Sequence, residues 1–434
     1  MGLSSEWRKL PLSSAELCIN TTLRCGQSFR WRKINDEWHC VLRGRLVSLK
    51  QDPTHLHYKV TWPKTPISFS PATAKPPPRS DNEEDDTAAL LRSYFSLSLS
   101  VSDLYKQWAA SDANFRRRAP AFTGIRILNQ DAWEALVAFI CSSNNNISRI
   151  SQMVLKLCLH YGPYIASIEG EPFHDFPGPE ALSGDGVEAH LRQLGFGYRA
   201  KYIADTARIV SRERPADWLR QLRNPEVPPL GGEHEDGKKV KLEGGEEPTY
   251  RAAHEALVGL TGVGPKVSDC VCLMGLGWWQ SVPVDTHVWQ IAQRDYSFGK
   301  GGKTKTMTKA MYDAVGEYFM KIWGPYAGWA QCVLFTANLK SFSEQAKGKK
   351  TEEETVIKAE VVEEGGVDGD GEKKAVVKVE VKETKTVTTK SKKRKTLTTT
   401  VDEEIVKVEE TEGVVAVEEV SSTRRQSKRI KARS

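Results

Sequence analysis

LTGVGPKVSDCVCLMGL (260–276) decides how this chain is read. Apolar periodicity marks a helix over YRAAHEALVGL (250–260) and a second over KVSDCVCLMGL (266–276), so Gly262-Val263-Gly264-Pro265 is the turn between them. Gly262 and Gly264 permit positive φ and let another part of the backbone approach without a Cβ in the way. Pro265 is preset for the first turn of a helix. Free amides at that helix start favour an anion. The pattern is therefore a helix–hairpin–helix able to hold a phosphate on Gly262, Val263 and Gly264. A plain turn between two helices carries the same glycines.

Lys266 adds chemistry. A lysine at a helix N-terminus faces the unfavourable end of the dipole, where cations are disfavoured. A neutral amine is a nucleophile that forms Schiff bases. Cys270 follows at i+4, on the same helix face, and a thiolate there would hold Lys266 charged until substrate arrives. A lysine that only touches a DNA phosphate satisfies the same residues.

The next motif is SVPVDTHVWQIAQRD (281–295). Pro283 breaks the chain and Asp285 is placed to cap a helix whose apolar face is Val288, Ile291 and Ala292. A carboxylate there can also stabilise a developing sugar cation. His287 can reach a phosphate or sit at the surface.

The chain has 434 residues and a formal charge of +6, room for two or three domains. All 12 Trp and all 8 Cys lie before residue 340, and Phe342 is the last aromatic. The cysteines form no Cys-x-x-Cys, so reduced, intracellular thiols are expected. No run reaches about 18 apolar residues, the start has no apolar signal core, and Glu6 replaces the Ser or Thr of a myristoylation signal. No membrane partner is expected.

Residues 1–63 alternate as strands, with a turn at Asn35-Asp36. Residues 63–88, with prolines and DNEEDD, read as a surface loop. From Thr87 to about Leu339 the period is helical, with Asp131 capping DAWEALVAFICS and Gly162 stopping NISRISQMVLKLCLHYG. Residues 222–249 read as an inserted surface loop. The fold class is α+β: an antiparallel sheet domain (1–125), an all-helical body (126–340), and a disordered tail (341–434) rich in Glu, Lys, Val and Thr. The tail carries SKKRK (391–395) and RRQSKRIKAR (424–433), which point to the nucleus, with a mitochondrial pool left open. Its aliphatic-Lys-x-Glu repeats at Lys358, Lys378 and Lys407 fit compositional drift better than a conjugation site.

L-x-G-V-G-x-K followed by V-P-V-D-T-H resembles the helix–hairpin–helix DNA glycosylases. CGQSFRWR (25–32), FICSSNNNISRI (139–150), LGFGYRAKYI (194–203), VPVDTHVWQIAQRDY (282–296) and GWAQCVLFTANL (328–339) look most like the eukaryotic 8-oxoguanine DNA glycosylases. The resemblance covers nearly everything up to residue 340, outside the 222–249 insertion. It implies a bifunctional glycosylase/lyase in base excision repair. Lys266 would attack C1′ and form the Schiff base, and Asp285 would support the departing base. The Gly26 carbonyl would accept the N7–H of 8-oxoguanine, Phe335 and Cys270 would sandwich the base, and Gln331 would read its Watson–Crick edge. Asn144, Arg149 and Arg199 would hold the cytosine left behind, Tyr198 would be the wedge, and His287 would contact phosphate. The implied partner is double-stranded DNA containing oxidised guanine, bound by a monomer. No cofactor or catalytic metal is implied. The cysteines of an iron–sulfur cluster are absent, although family hairpins can hold a structural cation. A relative acting on another lesion, and a DNA-structure-binding module without chemistry, are the alternatives.

Overall fold

Alternation near the N-terminus builds a five-stranded antiparallel sheet in the order β1-β5-β4-β3-β2, from β1 (Arg8–Pro11), β2 (Arg32–Ile34), β3 (Glu37–Leu42), β4 (Arg45–Gln51) and β5 (His55–Thr61). The structure, a computed structural model, describes residues 4–64, 86–232, 247–299, 307–342, 361–364 and 376–379. Asn35 and Asp36 both take positive φ (51° and 63°), as a two-residue hairpin turn requires. Trp38, Cys40, Val47, Leu49, Tyr58 and Val60 form the inner face, packed with Leu90, Leu91 and Tyr94 of the helix Thr87–Tyr94.

CGQSFRW (25–31) couples this sheet to the helices. Phe29 enters the helical core, its ring edge-on to Phe139 at 5.8 Å. Trp31 turns to the sheet core and donates to the Tyr94 hydroxyl at 2.9 Å. Between them, buried Arg30 binds both oxygens of Glu134 (2.8 and 2.6 Å) and Oδ1 of Asp175 (3.3 Å). Sheet and helical body lie within one compact unit, residues 1–347, and 348–434 form a second.

The caps follow the sequence. Asp131 accepts the Glu134 amide at 2.9 Å to start Ala132–Ser142, and Asn146 accepts the Arg149 amide at 3.0 Å to start Ile147–Tyr161, which ends at Gly162. Two expectations need correction. The body is not wholly helical, because Tyr164–Ile168 and Glu171–His174 pair as an antiparallel hairpin. Glu169 and Gly170 make its turn at positive φ (49° and 80°), and Ile165 and Phe173 pack on Val41 and Leu46. The 222–249 stretch is also not a loose loop at its start: Leu222, Arg223 and Val227 are buried. Arg223 donates to the Gly275 carbonyl at 2.5 Å, placing a cation at a helix C-terminus where the dipole favours it.

Residues 65–85 of the expected 63–88 loop, residues 233–246 of the insertion, and both basic clusters of the tail lie outside the described residues. Within the tail, Val361–Glu364 and Val376–Val379 pair antiparallel. All eight cysteines are free, and no described helix is long and apolar enough to cross a membrane.

Arg30→Met should leave Glu134 and Asp175 buried without the guanidinium that pairs with both of them. The expected cost is about 3–5 kcal/mol, read from the midpoint shift in urea unfolding.

Candidate active site

The hairpin is built asymmetrically. Gly262 sits at φ +79°, and a Cβ there would fall 2.3 Å from Cγ of Tyr202, so glycine is required by an aromatic ring rather than by neighbouring backbone. Gly264 does not take positive φ. It is extended (φ −97°, ψ 178°), with nothing within 4 Å of where its Cβ would be. The first glycine thus seats the hairpin on the helix Arg199–Arg208, and the second leaves its outer side open. Pro265 occupies the first helical turn, and the Ser268 amide makes the opening bond to the Gly264 carbonyl at 3.0 Å. Amides of a first turn have no partner within their own helix and can serve an anion.

Lys266 is half-buried one residue further on. Its Nζ donates to the Ser142 hydroxyl at 3.1 Å and lies 5.1 Å from the Phe139 ring centroid. Sequence reasoning gave neither partner a role, although both stand in FICSSNNNISRI. The expected thiolate beside the amine is overturned: burial pushes the Cys270 thiol up to about 11, against the opposing pull of Lys266. Cys270 is a neutral wall of the site.

Asp285 starts the helix Thr286–Asp295 as expected. Its Oδ1 accepts the amides of His287 and Val288, both at 2.9 Å. Among the described residues no hydrogen bond engages its Oδ2, so only one of its two oxygens is tied up by the cap. The charges of Lys266 and Asp285 both act on the Cys270 thiol, in opposite directions.

A second set of predicted residues converges beside them. Gly26, at φ +87°, would carry a Cβ 3.1 Å from Cδ1 of Ile147 and 3.8 Å from Cε1 of Phe335. Phe335 meets the His287 ring edge-on at 5.6 Å. Gln331, buried one turn before Phe335 in Ala327–Asn338, is four residues away and so shares its helix face.

Arg199, expected to hold an orphaned cytosine, and Tyr198, the expected wedge, meet at one carbonyl. Tyr198 donates its hydroxyl to Ser143 O at 3.1 Å; Arg199 Nε donates to the same oxygen at 3.1 Å and its Nη2 to Asn144 O at 3.1 Å. Tyr198 is exposed and stacks under the Arg199 guanidinium at 4.5 Å. Asn144 takes positive φ (48°), a conformation few residues other than glycine and asparagine tolerate. Arg149 is exposed and reaches Gly195 O at 3.4 Å, on the loop that leads to Tyr198.

Sequence reasoning also missed a buried hub. Asp269, three residues after Lys266, accepts from Tyr250 Oη (2.5 Å), Ser281 Oγ (3.0 Å) and Tyr312 Oη, with His254 Nε2 at 3.6 Å. Burial pushes its carboxyl up, and His254 and the three hydroxyls oppose that. The hub binds the lysine helix to the segment that ends at Asp285.

Fold and site define a base-excision DNA glycosylase of the helix–hairpin–helix class. Residues 137–314 match the family described as HhH-GPD superfamily base excision DNA repair protein, and residues 9–136 match the N-terminal domain of 8-oxoguanine DNA glycosylase. The N-glycosylase/DNA lyase of Saccharomyces cerevisiae is 36% identical over 361 residues, covering 78% of this chain and 87% of that protein. The N-glycosylase/DNA lyase OGG1 of Arabidopsis thaliana is 35% identical, covering 77% and 80%. A Clostridium acetobutylicum 8-oxoguanine glycosylase/lyase, solved with double-stranded DNA containing cytosine opposite 8-oxoguanine, shares the fold (TM-score 0.56, 22% identity, 76% of this chain and 92% of that one). The chain belongs to the eukaryotic 8-oxoguanine glycosylase/lyase family.

Two measurements test the site. Asp285→Asn keeps an oxygen for capping, so stability should stay within about 0.5 kcal/mol, whereas Asp285→Ala should cost about 1 kcal/mol. Base excision should fall in both, by roughly a hundredfold, because both lose the charge. The second concerns Cys270. Below an ordinary thiol pKa of about 8.5 the thiol is neutral in the folded and unfolded chain alike; above it, only the unfolded chain ionises until about 11. Stability should therefore fall as pH rises through that window, less steeply in Cys270→Ala, as followed by urea midpoints.

Proposed function

We propose that this chain excises 8-oxoguanine paired with cytosine from double-stranded DNA and then nicks the strand at the abasic site. The observation that carries the reading is the Lys266 amine at the start of the hairpin's second helix, lodged on Ser142 and Phe139, with the charges of Lys266 and Asp285 both acting on the Cys270 thiol. The target atom lies inside the duplex, so the nucleotide must be flipped out at a cost of a few kcal/mol. Phosphate contacts at Gly262, Val263 and Gly264 and at His287 offset that cost.

The neutral amine of Lys266 attacks C1′ and the N-glycosidic bond breaks. The base leaves with its bonding pair and takes up a proton, while Asp285 stabilises the cationic sugar. The second amine proton passes to O4′ as the ring opens, which gives the imine. Water then takes a C2′ proton, and the electron pair left behind forms the C2′–C3′ double bond as the 3′ phosphate leaves by β-elimination. Lysine supplies the nucleophile, so no cofactor enters the reading. The Gly26 carbonyl accepts N7–H from 8-oxoguanine and opposes guanine, which presents an acceptor there. Phe335 and Cys270 sandwich the base and Gln331 reads its edge. Asn144, Arg149 and Arg199 take the cytosine, with Tyr198 as the wedge. The protein acts as a monomer in the nucleus, directed there by the basic clusters of its tail.

Borohydride trapping tests the reading. Wild type should be captured on a duplex with 8-oxoguanine opposite cytosine, and not on undamaged or alkylated duplexes. Lys266→Gln should bind without being captured. Capture on the alkylated duplex instead would favour the alternative lesion. Binding without capture by wild type would reduce the protein to a DNA-structure-binding module.

A further inference from the structure

The geometry points to Gln27 as a positioning residue that sets base discrimination by fixing the direction of the Gly26 carbonyl. This deepens the reading above and rests on it. The Gly26 carbonyl and the Gln27 amide belong to one planar peptide unit. Whatever immobilises Gln27 therefore aims that carbonyl, and glycine at φ +87° would otherwise leave it free to swing.

Gln27 is buried to 1% exposure, and both ends of its side-chain amide are engaged. Nε2 donates to Arg126 O at 2.8 Å and Oε1 accepts the Leu128 amide at 3.0 Å, as a strand neighbour would. The Gln27 main-chain carbonyl accepts from Gln130 Nε2 at 3.1 Å. Nε2 also lies 3.3 Å from Cys25 Sγ and 3.4 Å from Cys332 Sγ, the residues beside Gly26 and Gln331. The anchor is itself held: Arg126 donates to Glu16 O (2.6 Å), Ser96 O (2.8 Å) and Leu99 O (2.8 Å). The Gln130 amide donates to Met274 O at 2.8 Å, at the end of the lysine helix. One residue thus relates the recognition turn to the helix that carries Lys266.

An abasic site separates this role from simple support of the fold, because it needs Lys266 but has no base to read. Single-turnover excision from 8-oxoguanine opposite cytosine, and strand cleavage at a preformed abasic site opposite cytosine, would be measured on the full chain. Gln27→Glu keeps the acceptor for Leu128 but sets an oxygen against the Arg126 carbonyl, so the turn must yield. Excision should drop by about tenfold or more, with abasic cleavage within about twofold of wild type. Gln130→Met, which removes the donor to the Gln27 carbonyl without adding charge, should give the same split and covers a Gln27→Glu chain that does not fold. Equal loss of both activities in both variants, or unchanged excision, overturns the assignment. A wild type that cleaves the abasic site and leaves 8-oxoguanine untouched would sink the functional reading itself.

Discussion

The packing of the Pro265–Met274 helix against Ala132–Ser142 is the constraint on which the site depends. A Cβ at Gly275 would lie 3.1 Å from Cα of Ala132 and 3.1 Å from Cβ of Ala135. The two helices close over small residues at that end. At the other end Lys266 meets Phe139 and Ser142, four and seven residues beyond Ala135 and on the same helical face. The helices therefore run antiparallel, and their separation at Gly275 sets how deep the amine sits. Interiors packed at crystal-like density do not absorb an added methyl silently, so a change near Gly275 would be felt at Nζ.

That packing decides the electrostatics of the amine. Its immediate neighbours are a hydroxyl, an aromatic face and, with the Cys270 thiol held neutral by burial, a sulfur without charge. A thiolate would have stabilised the ammonium and worked against nucleophilic attack. Asp269 and Asp285 both bring negative charge to bear on the Cys270 thiol, and the position of Asp285 is fixed: Oδ1 is tied to two amides of its own helix, and Asp269 with Tyr312 and Ser281 ties the preceding segment to the lysine helix. Among the described residues the Lys266 amine and the Asp285 carboxylate form no ion pair with each other.

Local features were legible in the sequence because they depend on near neighbours. Pro265 in a first turn, Asp131 and Asp285 as caps, and the Asn35-Asp36 turn each follow from spacing alone. Ser142 was not legible as a partner of Lys266, since 124 residues separate them and only helix packing joins them. Gly262 and Gly264 look alike in sequence and differ in structure because Tyr202 approaches one and nothing approaches the other. Burial of Leu222 and Arg223 was hidden by polar, proline-rich surroundings, while their partners lie at the end of the lysine helix. The Tyr164–His174 hairpin could have been found, since Glu169-Gly170 is a turn signal between alternating residues.

Segment 139–149 joins the separate parts of the site. Phe139 and Ser142 hold Lys266, Ser143 and Asn144 hold Arg199 and Tyr198, and Ile147 packs against Gly26. The guanidinium of Arg199 is satisfied by main-chain carbonyls, and in the proposed function a cytosine edge would offer it acceptors of the same kind. Exchanging one set for the other trades charge-assisted bonds for charge-assisted bonds, so the net cost is small. The exchange also frees a carbonyl adjacent to the residue whose hydroxyl holds the lysine. In the proposed function, reading the partner base and presenting the nucleophile would therefore act on one turn of backbone, Ser142–Asn144, which holds Lys266 on one side and Arg199 and Tyr198 on the other.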